Sequence, residues 1–191
     1  MSDLENTFAN LPRDPFPWQL EQSEHFYEKI SAHGGSGIYN VAAACNGGKT
    51  DAAGMNMLVA RSCFGIEFNI FVSPSGLIKD QVIEDFALMG LNFSAGQTNR
   101  KLIKSRLDPV LDGISCTYQQ IARFPDLFRK LTSEKPSMVV LDEVHHLAKE
   151  LSWGDACKHA FEYTQIRMVM SGTPFRCDGN LIPFVNYEEE V

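Results

Sequence analysis

The 191-residue chain is 44% hydrophobic, 21% charged and 10% aromatic, the makeup of one compact domain with a full-sized core and not of a disordered chain. Its net charge of -7 speaks against a general polyanion-binding surface, because non-specific nucleic-acid affinity comes mainly from Lys and Arg on phosphates, though a local basic path is still possible. No apolar run reaches membrane-spanning length and Met1-Ser2-Asp3-Leu4-Glu5 is no signal peptide, so no membrane partner and a cytoplasmic location are expected.

Residues 1–17 are expected to be an irregular lead-in, since Pro12, Pro15 and Pro17 interrupt a regular helix. From Trp18 to His33, the residues Leu20, Phe26, Tyr27 and Ile30 recur among Glu, Gln and Lys at a spacing that predicts an amphipathic helix. Gly34-Gly35-Ser36-Gly37 ends it with residues that accept positive φ. An apolar run, Ile38 to Ala44, predicts the first strand, and Ala52 to Arg61 predicts a helix.

Between them lies Ala43-Ala44-Cys45-Asn46-Gly47-Gly48-Lys49-Thr50. A strand, a glycine turn and a helix start closed by Lys-Thr is what a phosphate-gripping loop requires. Backbone N–H groups of the turn and helix start point at the anion, and the helix dipole adds a favourable field. Lys49 would meet the terminal phosphates, and Thr50 would hold Mg²⁺ through its hydroxyl.

The chain then alternates. Phe68 to Val72 predicts a strand, Leu77 to Met89 a helix, Leu91 to Phe93 a short strand, and Asn99 to Val110 has helical character. Ile114 to Thr117 is a further strand, followed by helical residues from Gln119 to Leu131 that Pro125 interrupts. Met138 to Leu141 is continuously apolar, which suits a strand buried on both faces. Leu147 to Tyr163 is helical with a break expected at Ser152-Trp153-Gly154, and Ile166 to Met170 is the last strand. Strands alternating with helices predict an α/β domain with a mainly parallel central sheet, whose ligands sit at the carboxyl ends of the strands.

Two further stretches follow strands directly. Asp142-Glu143 comes after Val139-Val140-Leu141: Asp142 can hold the Mg²⁺ that bridges β- and γ-phosphates, and Glu143 can orient and polarise the attacking water. The alternative is an acidic, solvated helix start. In Ser171-Gly172-Thr173-Pro174-Phe175-Arg176, the hydroxyls of Ser171 and Thr173 could hydrogen-bond His145 and report nucleotide state. His25 and His33 read as surface or capping residues, and His159 has no evident partner. The cysteines at 45, 63, 116, 157 and 177 lack zinc-ligand or redox spacing and read as reduced thiols. Arg100, Lys101, Lys104 and Arg106 form a basic cluster, either a solvated helix face or a DNA-phosphate patch.

Together, Ala43 to Thr50, Asp142-Glu143-Val144-His145 and Ser171-Gly172-Thr173 resemble motifs I, II and III of superfamily 2 helicases and translocases. Their order and spacing resemble the first RecA-like domain, a three-layer P-loop fold. The resemblance is to the DEAH-type group shared by restriction-enzyme motor subunits and phage or bacterial DNA helicases, where Thr173-Pro174-Phe175-Arg176 followed by Asp178-Gly179 is a familiar continuation. It implies ATP and Mg²⁺ as cofactors and a catalytic set of Lys49, Asp142, Glu143 and His145, with Asn46, Gly47, Gly48 and Thr50 around the phosphates. Pro17-Trp18-Gln19 resembles the adenine-recognition segment, which implies a base contact for Gln19 and places Phe16 or Trp18 near the ring. Pro74 to Gln81 resembles motif Ia, and Thr117-Tyr118-Gln119-Gln120 the next strand-end motif. The family touches one nucleic-acid strand there, which implies contacts from Pro74, Ser75, Gln81, Thr117, Tyr118 and Gln119. For Gln81 and Gln119 a solvated helix face is the alternative. Asn46 departs from the family's usual glycine, but asparagine also tolerates left-handed backbone.

The resemblance implies a nucleic-acid partner, DNA in preference to RNA, and a second RecA-like domain carrying an arginine finger. No such domain fits in Asp178 to Val191, so residues 178–191 are expected to be a linker and the chain half a motor. The competing reading is a nucleotide-dependent switch module that does not hydrolyse. It has no need of Glu143.

Overall fold

The computed structural model describes residues 2–9, 11–42, 47–95, 110–145 and 151–172. Six parallel strands form one sheet: β1 (Gly37–Ala42), β2 (Phe68–Ser73), β3 (Phe93–Ser94), β4 (Gly113–Thr117), β5 (Ser137–Leu141) and β6 (Ile166–Ser171), in the order β1-β6-β5-β2-β4-β3. The helices are α1 (Ser2–Phe8), α2 (Pro17–Ala32), α3 (Lys49–Phe64), α4 (Gly76–Leu88), α5 (Tyr118–Arg123), α6 (Pro125–Glu134) and α7 (Leu151–Ala160). No helix among the described residues is long and apolar enough to cross a membrane.

Alternate side chains of the buried strands serve two different cores, as a period of two requires. Phe71, Met138, Val140, Met168 and Met170 pack with Phe26 of α2, Met57 of α3 and Phe86 of α4. Ile70, Val72, Val139, Leu141 and Val169 pack with Ile121 of α5, Phe128 of α6, Cys157 of α7 and Phe161 just after it. The result is a three-layer α/β/α sandwich with the sheet as its partition. Phe86 is wholly buried between Phe71, edge-on at 5.5 Å, and Phe93 at 4.8 Å. Burial of a side chain of that size contributes about 2–3 kcal/mol.

The sheet's register puts the functional stretches side by side. Ala42 lies opposite Ser171, Val169 opposite Leu141, and Ser73 opposite Thr117. The Asp142 N–H donates to Val72 O at 2.9 Å, so this residue leaves the sheet at its carboxyl edge.

Three expectations need correction. The lead-in is not irregular throughout: Ser2–Phe8 is helical ahead of Pro12, because Leu4 and Phe8, one turn apart, pack on the core beside α3. The inward face of α2 is its apolar stripe only in part: Phe26 and Ile30 are core and Tyr27 packs on it, but Leu20 does not. Leu20 is exposed, while Gln19 and Ser23 are buried with Phe26 and Ile30. Helix α7 runs unbroken through Ser152-Trp153-Gly154, with Gly154 buried and Trp153 stacked on Tyr118. At Pro125 the chain does break, and Phe124 both ends α5 and begins α6 with φ -142. The expected helical stretch and basic cluster within residues 96–109, and the tail from residue 173, lie outside the described residues.

Gly113 shows how tightly the β2–β4–β3 edge is packed. A Cβ there would stand 2.5 Å from the Asn69 carbonyl oxygen and 2.5 Å from the Phe93 ring. Gly113→Ala is expected to cost about 2 kcal/mol by overpacking, lowering the melting midpoint by roughly 4–8 °C. Thermal denaturation followed by circular dichroism checks this, and an unchanged midpoint would show that the edge packs more loosely.

Candidate functional site

The site starts at the turn into α3. Gly48 caps the helix in the left-handed region, φ 81 and ψ 29, with no side chain bonded to the helix start. Free N–H groups of the first turn are therefore available to an anion. From Ala52 to Ala60 every residue of α3 is buried, so the turn is carried on a helix fixed on all sides. Gln19, only 1% exposed, ties α2 to this turn. Its Oε1 accepts from the Phe16 N–H at 2.8 Å, and its Nε2 donates to Gly48 O at 2.8 Å. A Cβ on residue 48 would lie 2.6 Å from that Nε2, so both the positive φ and the close approach require glycine. Of the two aromatic candidates, Phe16 stands 59% exposed near Gly48, while Trp18 packs against the core. The Gln19 amide is engaged within the chain at both ends, so what it does in this structure is hold the loop. Asn46 and Thr173 lie outside the described residues.

Opposite the turn stand the two carboxylates. The Lys49 ammonium donates to Glu143 Oε1, an ion pair between residues 94 apart in sequence. Glu143 Oε2 accepts from the Gly172 N–H at 3.3 Å and lies 3.2 Å from His145 Nδ1, which is also 3.2 Å from Ser171 Oγ. The expected Ser171–His145 contact is therefore present. Gly172, whose N–H reaches the carboxylate, was not singled out from the sequence; its position directly after a buried strand was the available signal. Burial pushes the Glu143 carboxyl up, but hydrogen bonds from Lys49 and Gly172 outweigh it and hold the group below its ordinary value. Glu143 is also the one positive-φ residue other than glycine among the described residues, at φ 49. Such backbone costs about 1–2 kcal/mol and must be held by its surroundings.

Asp142 has the contrary environment. It is 8% exposed and its Oδ1 has no hydrogen-bond partner. Burial pushes its carboxyl up to about 6; Lys49 counters this in part, and the neighbouring Glu143 adds to it. A buried carboxylate oxygen without a hydrogen-bond partner is a suitable start for a hard divalent cation. Among the described residues no group of three or more His, Cys, Asp or Glu could hold a metal by itself. That suits Mg²⁺, which is usually held by one or two protein oxygens together with substrate phosphates and water.

The residues expected along a nucleic-acid strand gather at the same sheet edge, with one exception. Ser75 caps α4, its Oγ accepting from the Ile78 N–H, and Thr117 caps α5 by accepting from the Gln120 N–H. Each hydroxyl keeps its own proton to donate outward. Gln81 and Gln119 are exposed, and Pro74 is half-buried. Tyr118 is the correction: it is 0% exposed, stacked on Trp153, and its hydroxyl donates to the Asp142 carbonyl oxygen at 2.7 Å. The helix begins at this residue, which turns its ring inward, so it cannot touch a strand in the groove. The remaining histidines among the described residues are held by partners within the chain, and His146 lies outside the described residues. His33 Nδ1 meets Lys29 O at 2.8 Å, His25 Nδ1 meets the Tyr39 hydroxyl at 3.2 Å, and His159 does have a partner, Asp126 at 2.6 Å.

A profile of the family described as Type III restriction enzyme, res subunit, matches residues 13–176. An uncharacterized protein of Mycobacterium leprae is 34% identical over 140 residues, 73% of this chain and 23% of the relative. One of Mycobacterium tuberculosis is 35% identical over 120 residues, 63% of this chain and 19% of the relative. The chain thus spans about a fifth of the length of these curated relatives. A nuclease-deletion mutant of the Type ISP restriction-modification enzyme LlaGI, in complex with a DNA substrate mimic, superposes with a TM-score of 0.61 at 13% identity, over 85% of this chain and 18% of that one. A hypothetical ATP-dependent RNA helicase from Sulfolobus tokodaii gives 0.60 at 17% identity, over 90% and 50%. At these identities the likeness is one of fold, and the fold is that of RecA-like helicase domains.

The two carboxylates pull stability in opposite directions with pH. Asp142 is raised from 3.8 to about 6, so between those values the folded chain binds more protons than the unfolded one. Its contribution therefore makes stability fall as pH rises through that window, and at roughly 1.4 kcal/mol per pH unit the ionised form costs about 3 kcal/mol. Glu143, lowered from 4.5, stabilises above that value and loses its contribution as pH falls through its folded value. Asp142→Asn is expected to stabilise the metal-free chain at pH 8 by about 1–3 kcal/mol. It should also flatten the pH 4–6 slope of urea-denaturation midpoints. An equal or lower midpoint at pH 8 would contradict the orphaned-carboxylate reading.

Proposed function

We infer that the chain, which belongs to the Type III restriction enzyme, res subunit family, is the ATP-binding motor domain of an ATP-dependent nucleic-acid helicase or translocase. The observation that carries this reading is the convergence of Lys49, Asp142 and Glu143 at the carboxyl edge of a parallel sheet, directly opposite a bare helix start.

The chain's own residues divide the work. The α3 N-terminus and Lys49 bind the polyphosphate, the ammonium leaving Glu143 to do so. The Thr50 hydroxyl and the orphaned oxygen of Asp142 hold Mg²⁺, which when bound neutralises charge on the β- and γ-phosphates. Glu143, released by Lys49 and still facing the Gly172 N–H, takes up the role of orienting and polarising the attacking water. Ser171 and Gly172 stand against His145 and Glu143, so motif III senses which partner the carboxylate has. Phe16 offers an exposed ring beside the loop for the base.

The nucleic acid is DNA in this reading, on the strength of the restriction-enzyme family, and it lies along Pro74, Ser75, Gln81, Thr117 and Gln119. In this reading the chain supplies one RecA-like domain and works with a second. Hydrolysis awaits that second RecA-like domain, because an arginine finger from it is worth about 10³ or more in rate. The length of the relatives leaves room for such a domain.

Lys49→Ala should weaken ATP–Mg²⁺ binding by about 10- to 100-fold, the worth of charge-assisted hydrogen bonds to phosphate. Glu143→Gln should bind at least as tightly as the parent chain, since Lys49 then has no carboxylate to leave. Calorimetric titration with ATP and Mg²⁺ reads both. Unaltered affinity in Lys49→Ala would refute the phosphate-loop assignment.

A further inference from the structure

We propose that Tyr118 is a positioning residue that couples the nucleic-acid strand to the catalytic carboxylates through the Asp142–Glu143 peptide. The inference rests on the motor-domain reading above and adds to it a route that does not pass through Ser171.

The geometry is specific. The Tyr118 hydroxyl donates to the Asp142 carbonyl oxygen at 2.7 Å, and that oxygen belongs to the peptide joining Asp142 to Glu143. Rotation of this peptide changes the ψ of residue 142 and the φ of residue 143 together. Holding the oxygen therefore holds Glu143 at φ 49, a conformation that an L side chain rarely adopts. In that conformation the Glu143 oxygens reach Lys49, Gly172 and His145. Burial pushes the phenol well above its usual value, so the hydroxyl stays a donor at any physiological pH.

The other end of the route is equally defined. Tyr118 is the first residue of α5, immediately after Thr117, whose side chain and Gln120 form a reciprocal capping box. Thr117 is half-buried and Gln119 exposed, on the side where the proposed strand would lie, while Tyr118 is buried and stacks on Trp153 at 6.3 Å. A phosphate that draws on the Thr117 hydroxyl or tilts the first turn of α5 must move the tyrosine oxygen. The element with two states is the peptide: held by Tyr118, it presents Glu143 to the cleft, and released, it can relax to negative φ. Strand binding and nucleotide binding thereby bias one equilibrium, and linkage requires each to strengthen the other.

The test is a binding cycle on the full chain. Calorimetry gives the affinity for ATP–Mg²⁺ with and without a saturating single-stranded DNA oligonucleotide. Fluorescence anisotropy gives the affinity for the labelled oligonucleotide with and without nucleotide. The wild-type chain is expected to show a mutual strengthening of about fivefold or more, the lower range of ordinary coupling. Tyr118→Phe keeps the ring stack and removes only the hydroxyl. It should bind each ligand alone within about twofold of wild type, with the mutual strengthening gone. A merely structural role would lower the melting midpoint or weaken both ligands and leave the ratio standing. A wild-type measurement guards against a variant that fails to fold: hydrogen exchange in peptides spanning residues 137–145 should slow when the oligonucleotide alone is added. Binding of both ligands without coupling in wild type, coupling kept in Tyr118→Phe, or exchange that does not respond would each overturn this inference alone. Failure of the wild-type chain to bind either ligand would overturn the motor-domain reading and this inference with it.

Discussion

The register of the parallel sheet is the constraint on which everything else depends. The pairing runs Ala42 to Ser171 and Val169 to Leu141, so β1 and β6 end level while β5 stops two residues earlier and leaves Asp142-Glu143 beside the end of β6. Lys49 and Glu143 can form an ion pair across 94 residues only because of that alignment. The register is enforced from both sides, since alternate residues of β2, β5 and β6 enter separate cores. A slip of one residue would exchange the two sets of side chains between cores of different shape. It would also move Asp142 away from its hydrogen bond to Val72. The site is thus specified by packing well before any of its own charges contribute.

Within that frame two adjacent carboxylates are driven apart chemically. Glu143 collects an ammonium and a backbone N–H, whereas Asp142 is buried with an orphaned oxygen and is raised to about 6. Neighbouring carboxylates given contrary environments are a usual sign of divided roles. Here the division fits a cation ligand at Asp142 and a water-orienting base at Glu143. In the ligand-free state Lys49 pairs with Glu143 and offsets the burial of Asp142 only in part, so the ionised Asp142 costs stability that a cation there would restore. The positive φ of Glu143 adds to the same imbalance. Local disfavour concentrated in two consecutive residues of an otherwise satisfied sheet edge marks a functional position, not a folding one.

Much of this was legible in the sequence, and the parts that were not share a cause. Met138 to Leu141 announces a buried strand because its apolarity is continuous, Ile166 to Met170 does so although Arg167 interrupts it, and Gly34, Gly35 and Pro125 mark turns through their own backbone restrictions. The phosphate loop and the Asp-Glu pair could be placed because strand ends in parallel sheets are where ligands gather. What escaped depended on tertiary partners. Leu4 and Phe8 form a helix because α3 lies beneath them, and two apolar residues do not reveal that. Gln19 and Ser23 are buried in place of Leu20 because the start of α2 serves the loop and not the core alone. Trp153 keeps α7 continuous through a glycine because it has Tyr118 to stack on.

Tyr118 shows the same limit at a single residue. In a run of Thr117-Tyr118-Gln119-Gln120 nothing in the composition separates the tyrosine from its polar neighbours. The separation comes from geometry: Thr117 ends β4, the helix starts at once, and the change of period from two to 3.6 rotates the next side chain inward. The two halves of the site are therefore anchored in different layers. Gln19 and α3 hold the phosphate turn from the core that contains α2 and α4. Tyr118, Trp153 and α7 hold the Asp142–Glu143 peptide from the opposite core. Direct contact between the halves is made by side chains at the sheet edge, chiefly Lys49 on Glu143. In the proposed function, an arrangement of that kind would let one half respond to nucleotide and the other to what lies against α5, with the sheet between them as the fixed partition.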